Sequence, residues 1–181
     1  MATACENIVI LGAGIGGLIL WNHLERSGLD KSKYNVVLVN PSSHYFHRIA
    51  GIRGAVTTND NFHERVWAEL REEKFNQGSK KLVTGTATLV EENHNGTGTV
   101  TLDTGVQIPY TYLVLATGCS WDGHLAYPAD KASGTEWSAS WRAKFEKSES
   151  VILVGGGAIS VGEYFVLLAI SVAYLDVLFR L

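Results

Sequence analysis

The chain has 181 residues, of which 46% are hydrophobic and 18% charged, and its formal net charge is −3. This length allows one good hydrophobic core with a small additional element. The mild acidity and the lack of a Lys/Arg run argue against nucleic acid as a partner.

The cysteine content and the N-terminus indicate an intracellular setting. Cys5 and Cys119 are too few and too scattered for a disulfide scaffold or a metal cluster, and no CxxC or CxxxxC pair is present. The N-terminal apolar run has no basic leader, and Ala2 stands where N-myristoylation requires glycine. We therefore expect a reduced, cytoplasmic protein with no metal site.

The first 40 residues predict a βαβ unit of the dinucleotide-binding type. Residues 7–11 are an apolar run typical of a strand that is buried on both faces. The glycine turn 12–17 follows, then a helix over 16–27 that ends at Gly28, and a second buried strand over 34–39.

The rest of the chain predicts a mixture of short elements. A polar and aromatic stretch, 41–61, precedes a predicted helix over 62–74. The predicted strands are 81–91, 98–102, 106–108, 112–116 and 151–154, with an Asp103-Thr104-Gly105 hairpin turn, and residues 137–145 are predicted as helical.

The glycine turn has the chemistry of a phosphate-binding loop. Gly12 permits a tight turn from strand to helix, Gly14 lets the backbone approach a pyrophosphate, and Gly17 lets the helix pack close to the strand. The helix N-terminus offers free N–H groups and a partial positive charge to the phosphates. Its place after a buried strand favours a dinucleotide site over a merely structural turn.

The end of the second strand departs from this pattern. A carboxylate is expected there to accept hydrogen bonds from the ribose hydroxyls, but the chain has Asn40-Pro41. An asparagine accepts through its carbonyl oxygen without the charge. The alternative is that Asn40 only starts the turn before Pro41.

A second glycine turn, Gly155-Gly156-Gly157, follows the strand over 151–154, with Ser160 in the place of a third glycine. Two such turns in one chain indicate a flavoenzyme that holds FAD and then NAD(P)H. A protein with one NAD-binding domain is a weaker alternative.

The sequence resembles the two-dinucleotide-binding-domain flavoproteins of the pyridine nucleotide-disulfide oxidoreductase superfamily. The resemblance covers residues 6–161 and rests on Ile8–Gly17, His44–His47, Gly51–Val56, Gly85–Ala87 and the strand ending in Ala116-Thr117-Gly118. Within that superfamily the chain is most similar to the apoptosis-inducing-factor-like group, which is related to NAD(P)H:quinone oxidoreductases of fungi and animals.

The resemblance implies roles for particular residues. Asn40 would lie near the adenosine ribose, Arg53 near the flavin or its phosphates, Ala87 against adenine, and Thr117 and Gly118 at the strand end that closes over FAD. Residues expected at the FAD pyrophosphate are Gly12, Ala13, Gly14, Ile15, Gly16 and Gly17, and those expected at the NAD(P)H pyrophosphate are Gly155 and Gly157. No catalytic residue is assigned.

A histidine, a cysteine and three tryptophans stand outside these assigned roles. His47 is either a hydrogen-bonded structural residue or a residue at the flavin edge. Cys119 is expected to be small and buried, and Trp121, Trp137 and Trp141 to pack at an inter-domain face.

We therefore predict an α/β protein: a Rossmann-like FAD-binding domain over 1–148, with a parallel sheet and an antiparallel β-meander at about 82–109. Residues 149–161 would start a second, NAD(P)H-binding Rossmann-like domain. The resemblance implies that this second domain is truncated at its C-terminal side.

The apolar tail, 162–181, has three interpretations. The first is a translated intron, since Gly162-Glu163-Tyr164 can be encoded with a splice-donor sequence. The second is a membrane anchor over 164–181. The third is an ordinary helix and strand in which Asp176 accepts a hydrogen bond from a ribose. Membrane contact is expected only through this tail.

The resemblance implies that electrons pass from NAD(P)H through FAD to a quinone or another small acceptor, with this short chain impaired in that reaction. The alternatives are a non-catalytic FAD-binding fragment and a membrane-tailed NAD-binding protein.

Overall fold

The computed structural model describes residues 5–168 and 174–178. Its strands are β1 (Glu6–Leu11), β2 (Tyr34–Asn40), β3 (His44–Phe46), β4 (Trp67–Glu69), β5 (Lys80–Thr84), β6 (Ala87–Glu92), β7 (Gly98–Leu102), β8 (Gln107–Tyr110), β9 (Tyr112–Leu115), β10 (Ser150–Val154) and β11 (Tyr174–Leu178). Its α-helices are α1 (Ile15–Arg26), α2 (Arg48–Val56), α3 (Phe62–Arg65), α4 (Glu72–Phe75), α5 (Lys131–Lys147) and α6 (Ala158–Leu168).

The described residues form two compact units, one within residues 1–45 and 69–119, the other within residues 46–68 and 120–181. The first is built on a four-stranded parallel sheet in the order β5-β2-β1-β9. Strand β1 lies inside this sheet, and both Val9 and Ile10 are fully buried. Parallel sheets are normally covered on both faces, so an uninterrupted apolar run is the sequence that such a strand requires.

Successive residues of β1 pack into two different cores. Ile10 points to the side of α1, where it packs with Trp21 and Leu38. Val9 points to the opposite face, where its core includes Val100 and other residues of the β6-β7-β8 sheet. That sheet is antiparallel, which confirms the predicted meander within an α/β fold.

The second unit contains a further parallel βαβ unit, β10-α6-β11, in which Ile152 lies opposite Asp176 in the strand register. Leu153 and Leu167 are buried in its core together with Val56 of α2. This unit confirms the predicted start of a second Rossmann-like domain. The predicted domain boundary at 148/149 does not coincide with a division between the compact units and stays a prediction.

The predicted helix over 62–74 is wrong in its middle. The structure has α3, then strand β4, then α4, and the N–H of Leu70 donates to the carbonyl of Ser43. Trp67 and Leu70 would share one helix face, but they are buried in different cores. Pairing of β4 with β3 therefore overrides the helical spacing of the apolar residues.

Helix α2 lies in the stretch 41–61, for which no helix was predicted. Its two glycines lower the intrinsic helix propensity of the segment. The structure shows why small residues are needed: a Cβ at Gly51 would collide with the ring of Phe46, and one at Gly54 would lie 3.4 Å from Cα of His63. Close tertiary packing stabilises this helix despite its sequence.

The predicted strand 81–91 is two strands. Strand β5 pairs with β2 in the parallel sheet, whereas β6 pairs with β7 in the meander. The break falls at Gly85 and Thr86. The meander therefore begins at Ala87 and not near residue 82.

The apolar tail contains the C-terminal part of α6 and the strand β11. Backbone pairing of β11 with β10 supports the interpretation as a helix and strand. Among the described residues, the helices are all too short or too polar to cross a bilayer. The predicted membrane segment 164–181 falls partly on 169–173 and 179–181, outside the described residues, and the intron interpretation stays a prediction.

Candidate functional site

The first glycine turn joins β1 to α1. Gly12 has φ +106°, which is accessible to glycine at little cost, and its N–H donates to the carbonyl of Val39 at 2.8 Å. A Cβ at Gly12 would collide with the carbonyl oxygen of Ala116, and one at Gly17 with the carbonyl oxygen of Gly12. Both positions therefore require glycine for close packing, as the sequence predicts.

Gly14 differs, because no heavy atom of the described residues lies within 4 Å of the position that a Cβ would occupy there. Gly14 is also the N-cap of α1, no side chain caps the helix, and no acidic residue lies in its first turn. The N-terminus of this 12-residue helix therefore faces open space with its partial positive charge uncompensated. This open helix N-terminus at Gly14, called the phosphate cradle below, fits the pyrophosphate of FAD or of another dinucleotide.

Asn40 lies beside this turn at the end of β2. Its side-chain oxygen Oδ1 accepts from the N–H of Ala13 at 2.9 Å, and its Nδ2 donates to the carbonyl of Ser42 at 2.7 Å. Asn40 therefore does more than start the turn before Pro41, because it ties the glycine turn to the end of the neighbouring strand. Its contact with an adenosine ribose stays a prediction.

The structure brings two more predicted residues to the same end of the sheet. Thr117 is the second residue after the end of β9, and its Cα would lie 3.2 Å from a Cβ at Gly12. Gly118 has φ +76°, a left-handed backbone conformation that favours glycine. Ala87, the first residue of β6, packs against the core that contains Val9. Their roles toward FAD stay predictions.

Two predicted residues lie on α2 or at its start, in the second unit. The exposed guanidinium of Arg53 stacks on the ring of Phe62, with Cζ 4.4 Å from the ring centroid. His47 is the N-cap of α2, where its Nδ1 accepts from the N–H of Ala50 at 3.2 Å. This gives His47 the structural role that the sequence offered as one of two alternatives.

The second glycine turn, between β10 and α6, repeats the backbone of the first. Gly155 has φ +108°, and within the part of the chain that the structure describes no heavy atom lies within 4 Å of a Cβ built at Gly157. Ser160 replaces the third glycine, and its Oγ lies 3.9 Å from a Cβ built at Gly155. The second turn therefore accommodates a side chain at residue 160. Binding of NAD(P)H by this turn stays a prediction.

The second unit also contains an apolar pocket of about 280 Å³ next to this turn. Ala158 and Ile159 of α6 form one wall, and Tyr127 another. The hydroxyl of Tyr127 donates to the carbonyl of Gly51 at 2.7 Å, and burial raises the pKa of this phenol. Other lining residues are Arg48, Ile49, Ile52, Trp121 and Leu125.

A buried acid–base contact that the sequence analysis missed lies in the same unit. Glu163 of α6 is 6% exposed and contacts the ring nitrogen Nε2 of His124, whose ring packs edge-on against Trp141 and Phe145. A buried carboxylate normally requires such a partner. The two residues are 39 positions apart and share no local pattern, so only tertiary structure could identify the pair.

Two expectations about packing have different outcomes. Cys119 was expected to be buried, but it is an exposed free thiol, because β9 has ended and the chain has left the sheet. Trp137 and Trp141 pack edge-to-face with centroids 6.1 Å apart, whereas Trp121 is half-exposed. An inter-domain role for the tryptophans stays a prediction.

Comparisons with known proteins agree with this geometry. Residues 6–178 match the family model described as pyridine nucleotide-disulphide oxidoreductase. The chain is 34% identical over 87 residues to a FAD-dependent oxidoreductase of Flammulina velutipes, covering 48% of this chain and 27% of the relative. It is 25% identical over 166 residues to apoptosis-inducing factor homolog B of Dictyostelium discoideum, covering 88% of this chain and 38% of the relative.

The fold is similar to that of solved oxidoreductase structures. The sulfide:quinone oxidoreductase of Aquifex aeolicus matches with a TM-score of 0.59 at 20% identity, over 83% of this chain and 34% of that one. The chain thus spans about a third of the length of the proteins that it matches. Proteins of this family use FAD together with NAD(P)H. The match over 6–178 shows that this chain belongs to the pyridine nucleotide-disulphide oxidoreductase family.

Proposed function

We propose that this chain is the FAD-binding part of a FAD-dependent NAD(P)H oxidoreductase of the apoptosis-inducing-factor-like type. The observation that carries the proposal is the open cradle at Gly14, below the uncapped N-terminus of α1. Similarity to an apoptosis-inducing factor homolog over 88% of the chain supports the subgroup. The acceptor would be a quinone or another small redox molecule, as the name of one structural neighbour suggests.

In this proposal the residues of the chain would bind and orient FAD and NAD(P)H, and the flavin, when bound, would supply the redox chemistry. The N–H groups at the start of α1 would hold the FAD pyrophosphate. Gly12 and Gly17 keep strand and helix close enough for this. The turn at Gly155 and Gly157 would hold the NAD(P)H pyrophosphate in the same way.

A second candidate function is a FAD-binding protein without turnover. The observation that favours it is the exposure of β10 beside the second glycine turn, where Ile152 is 61% and Val154 72% exposed. Parallel strands are usually covered on both faces, so this half-covered strand is a poorer base for a nucleotide site than β1.

The test is to purify the chain, release any bound cofactor by denaturation, and identify and count the flavin. Anaerobic addition of NADH or NADPH then shows whether protein-bound flavin is bleached. Retained and bleached FAD supports the oxidoreductase; retained FAD that is not bleached supports the binding protein. A folded chain that neither retains nor takes up FAD overturns both.

Two matched variants separate the sites. Gly14→Val and Gly157→Val each place a side chain where the structure leaves open space, so folding should be retained while the phosphate cradle is filled. Gly14→Val should abolish FAD binding. Gly157→Val should leave FAD bound and abolish only its bleaching by NAD(P)H, with far-UV circular dichroism unchanged in both.

A further inference from the structure

The side chain of Asn40 has two main-chain partners whose roles are fixed. The N–H of Ala13, 2.9 Å from Oδ1, can only donate, and the carbonyl of Ser42, 2.7 Å from Nδ2, can only accept. The orientation of the amide is therefore determined. The position requires one acceptor and one donor on the same short side chain, which an amide provides and an ionised carboxylate does not.

We propose that Asn40 is a positioning residue that holds the first glycine turn in its dinucleotide-binding shape, and that a carboxylate at this position weakens the FAD site. The proposal rests on the proposed function in one respect, since it assumes that the turn binds FAD. It opposes the expectation that residue 40 serves as a substitute for a ribose-binding acid. If that expectation were right, Asn40→Asp would strengthen FAD binding.

The loop after β2 cannot easily move its Ser42 carbonyl away from a carboxylate. Ser42 is 8% exposed, and its Oγ accepts from the N–H of His44 at 3.1 Å. The carbonyl of Asn40 itself accepts from the N–H of Gly85 at 3.0 Å. An aspartate would keep its bond to Ala13 but place a second acceptor against the Ser42 carbonyl, leaving that carbonyl without its donor.

Loss of the bond between residue 40 and the Ser42 carbonyl would affect the phosphate cradle through the backbone of Ala13. Ala13 lies between Gly12, which makes the turn, and Gly14, where the cradle is open. Ala13 is 2% exposed, so its N–H lies where a lost partner is costly. Any shift of residue 40 away from Ser42 therefore moves or strains the N–H that fixes the centre of the turn.

The experiment compares Asn40→Asp with the wild-type chain in FAD titrations, followed by flavin fluorescence, and in thermal unfolding of the apo-chain. At pH 7 we expect FAD to bind about ten-fold more weakly to the variant, with a lower unfolding temperature. As the pH falls toward the carboxyl pKa, protonation restores a donor, so the deficit in unfolding temperature should shrink. A ribose-binding role would not produce this trend in the apo-chain.

Asn35→Asp is the matched control, since it makes the same substitution at the other end of β2, where Nδ2 donates to Oδ1 of Asn7 at 3.0 Å. It should lower stability without changing the FAD dissociation constant by more than about two-fold. FAD binding by Asn40→Asp as tight as wild type, or tighter, at pH 7 overturns the proposal. So does a deficit in unfolding temperature that does not depend on pH.

Failure of FAD binding by the wild-type chain would refute the proposed function instead. The pH dependence of unfolding would still test the positioning role, because that measurement contains no cofactor.

Discussion

The two glycine turns have the same backbone but different surroundings. Gly12 and Gly155 have φ values of +106° and +108°. Each following helix starts with an equivalent hydrogen bond: the N–H of Leu18 donates to the Gly14 carbonyl at 3.0 Å, and the N–H of Val161 donates to the Gly157 carbonyl at 3.1 Å. The strand residues before the turns differ sharply: Leu11 is 4% exposed, and Val154 is 72% exposed.

The difference arises from the neighbouring strands. Strand β1 has partners on both sides, β2 and β9, and is covered on both faces. Within the residues that the structure describes, β10 pairs with β11 alone. A glycine turn thus forms from local sequence, whereas the burial of the strand that precedes it depends on the layers around that strand.

Truncation of the strand residue before each turn should give the largest contrast. Leu11→Ala removes a buried side chain and should lower the free energy of unfolding by about 3 kcal/mol. The equivalent Val154→Ala removes an exposed one and should change it by less than about 0.5 kcal/mol. Chemical denaturation of both variants measures this, and equal losses would mean that the two strands are equally covered.

The position of the third glycine, which is Gly17 in the first turn and Ser160 in the second, should show a smaller difference in stability between the two turns. Gly17→Ala forces a Cβ against the Gly12 carbonyl, which destabilises the folded state by up to about 3 kcal/mol. The higher helix propensity of alanine offsets about 1 kcal/mol of this. We therefore expect the free energy of unfolding to fall by about 2 kcal/mol. Ser160→Ala, at the equivalent position, should be nearly neutral.

Gly16→Ala is the control for the same helix turn, since no atom of residues 5–168 and 174–178 lies within 4 Å of the Cβ position at Gly16. It should leave the unfolding temperature unchanged or slightly raised. A large loss in Gly16→Ala would show that helix N-terminal flexibility, and not the Gly12 contact, is what Gly17 provides.

Tyr127→Phe concerns the second unit alone and should have a smaller effect than Leu11→Ala or Gly17→Ala. It removes the hydrogen bond to the Gly51 carbonyl and should cost about 1 kcal/mol. Burial raises the pKa of Tyr127 above its usual value of about 10. The folded state therefore holds this proton longer than the unfolded state, so wild-type stability should decline as pH rises above about 10.

The Phe variant should lack this part of the alkaline decline. Unfolding temperatures of both proteins across the alkaline range measure it, and parallel curves would contradict the assignment to Tyr127.

Much of the fold could be predicted from local patterns. The apolar run before Gly12 and the left-handed Gly28 after α1 act through neighbouring residues only, and the structure confirms both. The same holds for the Asp103-Thr104-Gly105 turn, where Gly105 has φ +78°. These features depend on backbone preferences and on the two-faced burial of parallel strands, which the sequence carries directly.

Tertiary structure decided the elements whose stabilising contacts are distant in sequence. Residues 62–74 have helical spacing, yet Trp67 joins a strand because β3 is available as its partner. Helix α2 forms around glycines because the ring of Phe46 needs the space at Gly51. Sequence alone determined the glycine turn, because its backbone conformation and close packing require glycine at Gly12 and Gly17. The path of the folded loop decided the second partner of Asn40, the carbonyl of Ser42, since a hydrogen bond depends on which groups packing brings together.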